Sequence, residues 1–141
     1  MILVIDASVA IKWFLFARQD EQNTDLALGV LERAVLGSVE LLVPPHFIAE
    51  VAAVLARLKP DDAESDLLDL LDIPMRTIAS PEIYATALRL SLRYEHHIFD
   101  TLYHAVALDR DDAQVITADA RYYKKAKTEG QITLLENLSL A

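Results

Sequence analysis

The sequence has no cysteine among its 141 residues. Disulfide bonds, a thiolate zinc site and a cysteine nucleophile are therefore excluded. A chain without disulfides fits a reducing compartment, so we expect a cytoplasmic protein. The sequence also lacks any apolar run near the roughly 18 residues that a membrane helix needs, so we expect no membrane partner. No basic region precedes the first apolar run, and we therefore expect an intact natural start without a signal peptide.

Positive charge is scarce as well. There are 13 Lys and Arg against 22 Asp and Glu, which gives a formal net charge of −9. Phosphate backbones are bound mainly through Lys and Arg, so an acidic chain is not an obvious nucleic-acid binder. Two routes to nucleic acid remain open, because divalent cations would cancel negative charge and basic residues could cluster locally. The densest basic run is Arg121 with Lys124, Lys125 and Lys127, and its alternative interpretation is a solvated helix face.

Length and composition predict one folded domain. With 53% hydrophobic and 25% charged residues, a chain of 141 residues has enough apolar material for a full core. It contains no internal repeat, low-complexity tract or linker. We therefore predict a single domain over residues 1–141.

Short apolar segments alternate with helical patterns along the chain. The first segment, Ile2–Ile5, is rich in β-branched residues and is typical of a strand buried on both faces. Further strands are predicted at 40–43, 75–78, 114–117 and 132–135, and helices at 7–16, 25–36, 44–58, 61–71, 81–94, 100–109 and 119–127. The alternation predicts a doubly wound, mostly parallel sheet. The helices at 44–58 and 61–71 could form a small helical hairpin.

Four acidic residues can reach one edge of this sheet. Asp6 directly follows the first strand, and Asp119 follows the strand at 114–117. The carboxyl ends of parallel strands meet at one edge, where open α/β sheets bind ligands, so both should face one crevice. Asp100 begins a predicted helix. Glu50 lies two turns into the helix after the second strand, at the border of its buried face.

Clustered carboxylates repel one another or take up protons unless they share a cation. Mg²⁺ and Mn²⁺ fit such a cluster, because hard divalent cations prefer oxygen ligands. One or two of these ions could bind a phosphodiester, activate a water and stabilise the leaving oxygen. The hydroxyls of Ser8 and Thr117 are expected near the same edge.

Each acidic residue also has a purely structural interpretation. Asp100 and Asp119 stand at predicted helix starts, where Asp is a favoured cap. Glu50 could be an exposed helix residue paired with Lys or Arg. Asp6 follows a buried strand and is harder to explain by structure alone.

Four segments resemble a known family when they are taken together. Val4–Phe14, Pro44–Glu50, Phe99–Leu108 and Ile116–Tyr123 resemble the acidic motifs of PIN-domain ribonucleases, in order and at family-like spacing. The first segment most resembles the VapC toxins of bacterial and archaeal toxin–antitoxin pairs. One such motif alone is weak evidence, whereas four in order are specific.

The resemblance implies a PIN-like three-layer α/β/α fold and a metal-dependent endoribonuclease toxin that cleaves RNA through a metal-activated water. The implied catalytic residues and metal ligands are Asp6, Glu50, Asp100 and Asp119, with Mg²⁺ or Mn²⁺ as the cofactor. The implied partners are an RNA substrate, a cognate VapB-like antitoxin and a second copy of the chain in a homodimer. Thr117 departs from the family, because some relatives carry a further acid there, which predicts a second metal that is weakly held or arrives with the substrate.

Other polar side chains are assigned from their position in these motifs. We predict Ser8, Lys12, Thr117 and Arg121 as substrate-binding residues, although Lys12 could equally be a helix surface residue.

Several remaining residues are expected to have structural roles. The four histidines form no metal-ligand pattern, and we expect them in structural or solvated positions: His46, His96, His97 and His104. Trp13 and Tyr103 are expected to pack rather than stack on bases. The leucines of 67–71 are expected either in the core or along an apolar groove for a partner.

Two other functions remain open. A PIN scaffold with little catalysis could act by binding RNA or an antitoxin, and Thr117 in place of an acid favours this alternative. A phosphoryl-transfer enzyme or receiver domain could use a strand-end Asp as nucleophile. The sequence argues against that class, because Ser8 and Ala7 stand where such proteins carry further acidic residues.

Overall fold

The computed structural model describes residues 1–140. Its five strands form one sheet in the order β3-β2-β1-β4-β5, and every neighbouring pair is parallel. The strands are β1 (Ile2–Ile5), β2 (Glu40–Val43), β3 (Arg76–Thr77), β4 (Ala113–Thr117) and β5 (Ile132–Leu134). The sheet is therefore fully parallel over the described residues.

Seven α-helices connect the strands in this part of the chain. They are α1 (Ala7–Ala10), α2 (Thr24–Leu36), α3 (Phe47–Leu58), α4 (Ala63–Leu71), α5 (Pro81–Tyr94), α6 (Ile98–Leu108) and α7 (Ala120–Ala126). Short 3₁₀ turns follow α1, α7 and β5, at Ile11–Trp13, Lys127–Glu129 and Leu135–Asn137. No helix within residues 1–140 has the length and apolar character needed to cross a bilayer.

The apolar run of β1 explains its central place. Val4 and Ile5 have no exposed surface, because strands and helices cover both faces of the sheet. Val4 pairs with Leu42 of β2 on one side and with Val115 of β4 on the other. The residue that follows β1 therefore lies between two strand ends.

The strand order places helices on both faces. The chain moves from β1 through β2 to β3 and then crosses to β4 and β5 on the other side of β1. Right-handed crossovers put α1–α4 on one face and α5–α7 on the opposite face. Helices α3 and α4 pack on each other, as do α5 and α6. The result is the three-layer α/β/α arrangement, and the helical hairpin is confirmed as α3 and α4.

Local chemistry sets several helix ends. Ser80 caps α5 by accepting a hydrogen bond from the Ile83 N–H, and Pro81 occupies the first helical position. Gly37 ends α2 with a φ of 84°, a left-handed conformation that glycine adopts without strain. These ends agree with the sequence-based assignment.

Three helix predictions need correction. The helix predicted at 44–58 begins at Phe47, so both prolines precede it and Glu50 lies in its first turn rather than two turns in. The predicted helix at 7–16 is a single turn, Ala7–Ala10, that continues as a 3₁₀ turn to Trp13. Helix α6 begins at Ile98 rather than at Asp100, because His97 caps it and its Nδ1 accepts from the Phe99 N–H at 3.1 Å. Asp100 is therefore not the helix cap and lies in the first turn of α6 instead.

Candidate active site

Asp6 lies at the carboxyl end of β1 and caps α1. Its Oδ1 accepts from the Ser8 N–H at 2.8 Å and from the Ser8 hydroxyl, and its Oδ2 accepts from the Thr117 hydroxyl at 2.6 Å. Burial raises the pKa of Asp6 to about 6, although these three hydrogen bonds act in the opposite direction. The nearby carboxylate of Asp100 adds to the increase in pKa. Asp6 is therefore a recessed acid whose charge the protein only partly compensates.

Two hydroxyl groups join the ends of β1 and β4. The Thr117 Oγ1 donates to Asp6 and accepts from the Asp119 N–H at 3.0 Å. The Ser8 Oγ donates to Asp6 and accepts from the Ala118 N–H at 2.9 Å. Ser8 and Thr117 therefore lie at the predicted edge, and their hydroxyls are engaged with Asp6 and with the loop after β4.

Glu50 projects from the first turn of α3 and is held by two donors. The Tyr103 hydroxyl donates to its Oε1 at 2.5 Å, and the His46 Nε2 lies 3.1 Å from the same oxygen. Burial alone would raise the pKa of Glu50, but the hydrogen bonds from His46 and Tyr103 outweigh it and hold the pKa below its usual value. Glu50 is thus kept as a carboxylate in a fixed position.

His46 links α3 to the start of α6. Its Nε2 lies 2.7 Å from the Phe99 carbonyl oxygen and 3.1 Å from Glu50, so this nitrogen carries the donated proton. Its ring packs against Tyr103 at a centroid distance of 4.9 Å. Burial opposes protonation of His46, but the contacts with Glu50 and Phe99 raise its pKa overall.

Asp100 is the third residue of α6 and its side chain is 45% exposed. Its Oδ2 lies 3.1 Å from the Nε2 of His96. Burial raises the pKa of Asp100, His96 lowers it, and the carboxylates of Glu50 and Asp119 raise it further. Asp100 is therefore electrostatically coupled to both of these acids.

Asp119 has a structural contact and a contact that faces the site. Its Oδ1 caps α7 by accepting from the Tyr122 N–H at 3.1 Å. Its Oδ2 lies 3.7 Å from the Nε2 of His96. The capping interpretation of Asp119 is confirmed, but capping uses only one of the two carboxylate oxygens.

The four predicted acids affect one another's pKa values, and we call them the electrostatic cluster. Within residues 1–140, the ligand atoms that lie within 4.8 Å of one another belong to His96, Asp100 and Asp119, a group that includes neither Asp6 nor Glu50. Asp100 acts on the pKa of Asp6, and Glu50 and Asp119 act on that of Asp100. Residues that are far apart in the sequence meet here because the carboxyl ends of the strands lie at one edge of the sheet. The cluster lies at this edge, beside the topological switch point between β1 and β4.

Among the described residues, neither predicted basic residue pairs with the four acids. Lys12 is 8% exposed, and its ammonium donates to the Glu21 carboxylate at 2.9 Å and to the Gln22 carbonyl at 2.7 Å. Lys12 is therefore not a solvated surface residue. Arg121 is exposed on the second position of α7.

Sequence analysis missed three residues of the cluster, namely His46, His96 and Tyr103. His46 and His96 contact Glu50 and Asp100. The expectation that the histidines form no metal-ligand pattern is wrong for His96, which groups with Asp100 and Asp119. A signal was available for His46, because it caps α3 and precedes Glu50 by four residues, a spacing that places two side chains on one helical face. Tyr103 packs as expected, and its hydroxyl also holds Glu50.

The fold and the cluster define a class of protein, namely a parallel α/β/α protein with carboxylates near the switch point of its sheet. The model of the PIN domain matches residues 3–128, and the chain belongs to this family. No curated protein matches the chain significantly in sequence.

Solved structures confirm the fold over nearly the whole chain. A toxin–antitoxin complex from Klebsiella pneumoniae superposes with a TM-score of 0.66 at 14% identity, covering 94% of this chain and 97% of that one. VapBC2 from Rickettsia felis, bound to a DNA fragment from its promoter, gives 0.61 at 15% identity, with coverages of 95% and 97%. Mycobacterium tuberculosis VapC20, a sarcin–ricin loop cleaving toxin, gives 0.61 at 14% identity, with coverages of 86% and 93%. At these identities the similarity establishes the fold.

Proposed function

We propose that the protein is a metal-dependent endoribonuclease and the toxin of a toxin–antitoxin pair. The observation that carries the proposal is the electrostatic cluster of Asp6, Glu50, Asp100 and Asp119 at the carboxyl edge of a PIN-family sheet. The structural similarity to toxin–antitoxin complexes supports the assignment to this kind of system.

The donor set fits Mg²⁺ or Mn²⁺. Carboxylate oxygens are the ligands that these hard cations prefer. Burial is the main cause of the raised pKa values of Asp6 and Asp100, and repulsion from neighbouring carboxylates adds to it. A bound cation would act in the opposite direction. Asp6, Glu50 and Asp100 would hold the ion, with Asp119 close by. When bound, it would supply the positive charge that activates water and stabilises the leaving oxygen.

Neighbouring side chains hold two of the proposed metal ligands in position. Thr117 and Ser8 fix both oxygens of Asp6, and Tyr103 with His46 fixes Glu50. Such outer contacts orient ligands and retain their charge before a metal arrives. Arg121, exposed on α7, would contact the phosphates of RNA, whereas the ion pair of Lys12 with Glu21 must open before Lys12 can do so.

The proposed partner is a cognate antitoxin that enters an apolar groove between α2 and α4. The groove has a volume of about 490 Å³. Its lining includes aromatic and aliphatic side chains, namely Trp13, Phe14, Phe16, Leu28, Leu31, Val35 and Ile73. Asp66, Asp69 and Asp72 add negative charge along it, and Asp66 pairs with Lys59 at 2.8 Å. The groove therefore fits a segment that carries apolar side chains beside Lys or Arg. We also expect a homodimer, which sedimentation of the purified protein would detect.

RNA cleavage by matched variants tests the function. Wild type should cleave RNA with Mg²⁺ or Mn²⁺ and lose that activity in EDTA, whereas Asp6→Asn should be inactive with either metal. Asp61→Asn is the control, because Asp61 is exposed in the loop between α3 and α4. Equal cleavage by wild type and Asp6→Asn would contradict the proposed function.

A binding scaffold with little catalysis is the second candidate. The observation that favours it is Thr117, which contributes an uncharged hydroxyl to the cluster. Tight binding of the antitoxin together with metal-independent or absent RNA turnover would support this candidate over the nuclease.

A further inference from the structure

His96 has a fixed position beside the cluster. Glu95 ends α5 in a left-handed conformation with a φ of 51°. The His96 N–H then donates to the Ser91 carbonyl at 3.2 Å, and the Ser91 hydroxyl donates to the His96 carbonyl at 2.5 Å. The imidazole packs against Tyr122 at a centroid distance of 4.8 Å and is 10% exposed. Both the backbone and the ring of His96 are therefore constrained.

The Nε2 of His96 lies between two carboxylates. It is 3.1 Å from the Asp100 Oδ2 and 3.7 Å from the Asp119 Oδ2, and the three groups can offer atoms that all lie within 4.8 Å of one another. Two roles are compatible with these distances. His96 could be a ligand for a cation shared with the two acids, or it could donate a proton between them.

Lys125 distinguishes the two roles. Its ammonium lies 3.2 Å from the His96 Nδ1 and also donates to the Glu95 carbonyl at 3.3 Å. An ammonium has no acceptor, so the Nδ1 must accept. A neutral imidazole that accepts at Nδ1 carries its proton on Nε2, and this nitrogen then has no lone pair for a metal. A metal-bound histidine normally donates its other N–H to a carbonyl or carboxylate, which is the reverse of the contact with Lys125.

We propose that His96, backed by Lys125, takes the place of a second cation between Asp100 and Asp119, so that the centre binds one divalent ion and not two. The proposal rests on the proposed function, since it assumes that Asp6, Glu50 and Asp100 hold the first ion. The Nε2 lies within ion-pair distance of both carboxylates, and Lys125 adds a full positive charge behind the ring. Thr117 supplies a hydroxyl and no charge beside Asp119.

Counting bound Mn²⁺ tests the proposal. Titration followed by electron paramagnetic resonance and calorimetry should give one ion per chain in wild type and two in His96→Leu, because the leucine leaves Asp100 and Asp119 without a donor. His96→Gln should retain one ion, since its amide can still donate to a carboxylate. Circular dichroism of both variants checks that they fold.

The proton position gives a second readout that needs no variant. A long-range ¹H–¹⁵N correlation spectrum of the metal-free wild-type protein should place the proton of neutral His96 on Nε2. A proton on Nδ1, two ions in wild type, or weaker Mn²⁺ binding with no added ion in His96→Leu would overturn the proposal. If wild type bound no Mn²⁺, both this proposal and the proposed metal-dependent function would be contradicted. If wild type bound two ions, only this proposal would be contradicted.

Discussion

The Thr117 hydroxyl oxygen lies 2.6 Å from the Asp6 Oδ2, across 111 positions of sequence. Thr117 is 1% exposed, and the same oxygen accepts from the Asp119 N–H at 3.0 Å. One side chain thus fixes the acid after β1 and the backbone after β4. The Thr117 hydroxyl therefore connects β1 and β4 at the switch point of the sheet. An acidic side chain at this position would instead repel Asp6.

Thr117→Val should destabilise the protein by about 1–3 kcal/mol, because the isosteric change leaves a buried acceptor and a buried donor without partners. Urea denaturation measures the loss. Thr117→Ser is the matched control and should recover most of it by restoring the hydroxyl. Equal unfolding midpoints for the valine and serine variants would show that the hydroxyl contributes nothing.

In the metal-free protein, the contribution of Asp6 to stability should fall as pH rises from about 4 to about 6. The pKa of Asp6 is about 6 in the folded protein against a usual value of 3.8, so the folded state binds the proton more tightly than the unfolded chain does. The contribution of Asp6 to stability is therefore present below about pH 4 and lost as the pH rises through about 6.

The measurement is denaturation of wild type and Asp6→Asn in EDTA across this pH range. Comparing the two proteins separates the contribution of Asp6 from that of other acids. The difference in free energy of unfolding between the two proteins should change with pH in this window. A difference that stays constant would mean that the pKa of Asp6 is not raised. Metal affinity should show the opposite trend and increase with pH, because the cation competes with the proton.

Tyr103→Phe should weaken Mn²⁺ binding by about 10–100-fold, the usual effect of removing a contact that orients a ligand. The Tyr103 hydroxyl donates to Glu50 at 2.5 Å and contributes to its lowered pKa. Calorimetry measures the affinity. Tyr94→Phe is the control, because the Tyr94 hydroxyl donates to Glu129 instead. If both variants bind Mn²⁺ as wild type does, Glu50 does not depend on Tyr103.

Val35→Glu should reduce affinity for the cognate antitoxin by about tenfold or more, because it adds a charge to the apolar and already acidic groove. Val35 is 61% exposed, so the fold should tolerate the change. Leu92→Glu on α5, at a position 72% exposed, is the control and should bind normally. Unchanged binding by Val35→Glu would exclude this groove as the antitoxin site.

The sequence was sufficient for most of the architecture because the signals are local. Ile2–Ile5 could only be a buried strand, and Ser80-Pro81 is a helix start whose capping contact forms as expected. The start of α6 was misplaced because the cap is a histidine, His97, which is not among the favoured capping residues. The helix after Asp6 ended early, within a run of apolar residues whose spacing does not distinguish α from 3₁₀ geometry.

The positions of Asp6 and Asp119 at strand ends were predictable, but the contacts of Tyr103 and Lys125 were not. Acids at strand ends can be placed from sequence by the geometry of parallel sheets. The contact between Tyr103 and Glu50 joins α6 to α3, and that between Lys125 and His96 joins α7 to the connection before α6. Contacts of this kind depend on how helices pack, and no local pattern specifies them. Likewise, nothing in the segment around Lys12 indicates its pairing with Glu21 across the intervening loop.

Anomalous scattering from a crystal soaked in Mn²⁺ tests the central claim most directly, namely that dispersed acids share a cation. We predict one peak within coordination distance of carboxylate oxygens from Asp6, Glu50 and Asp100. If no peak lies among these residues, whether or not one lies elsewhere on the chain, the claim that these acids share a cation is contradicted.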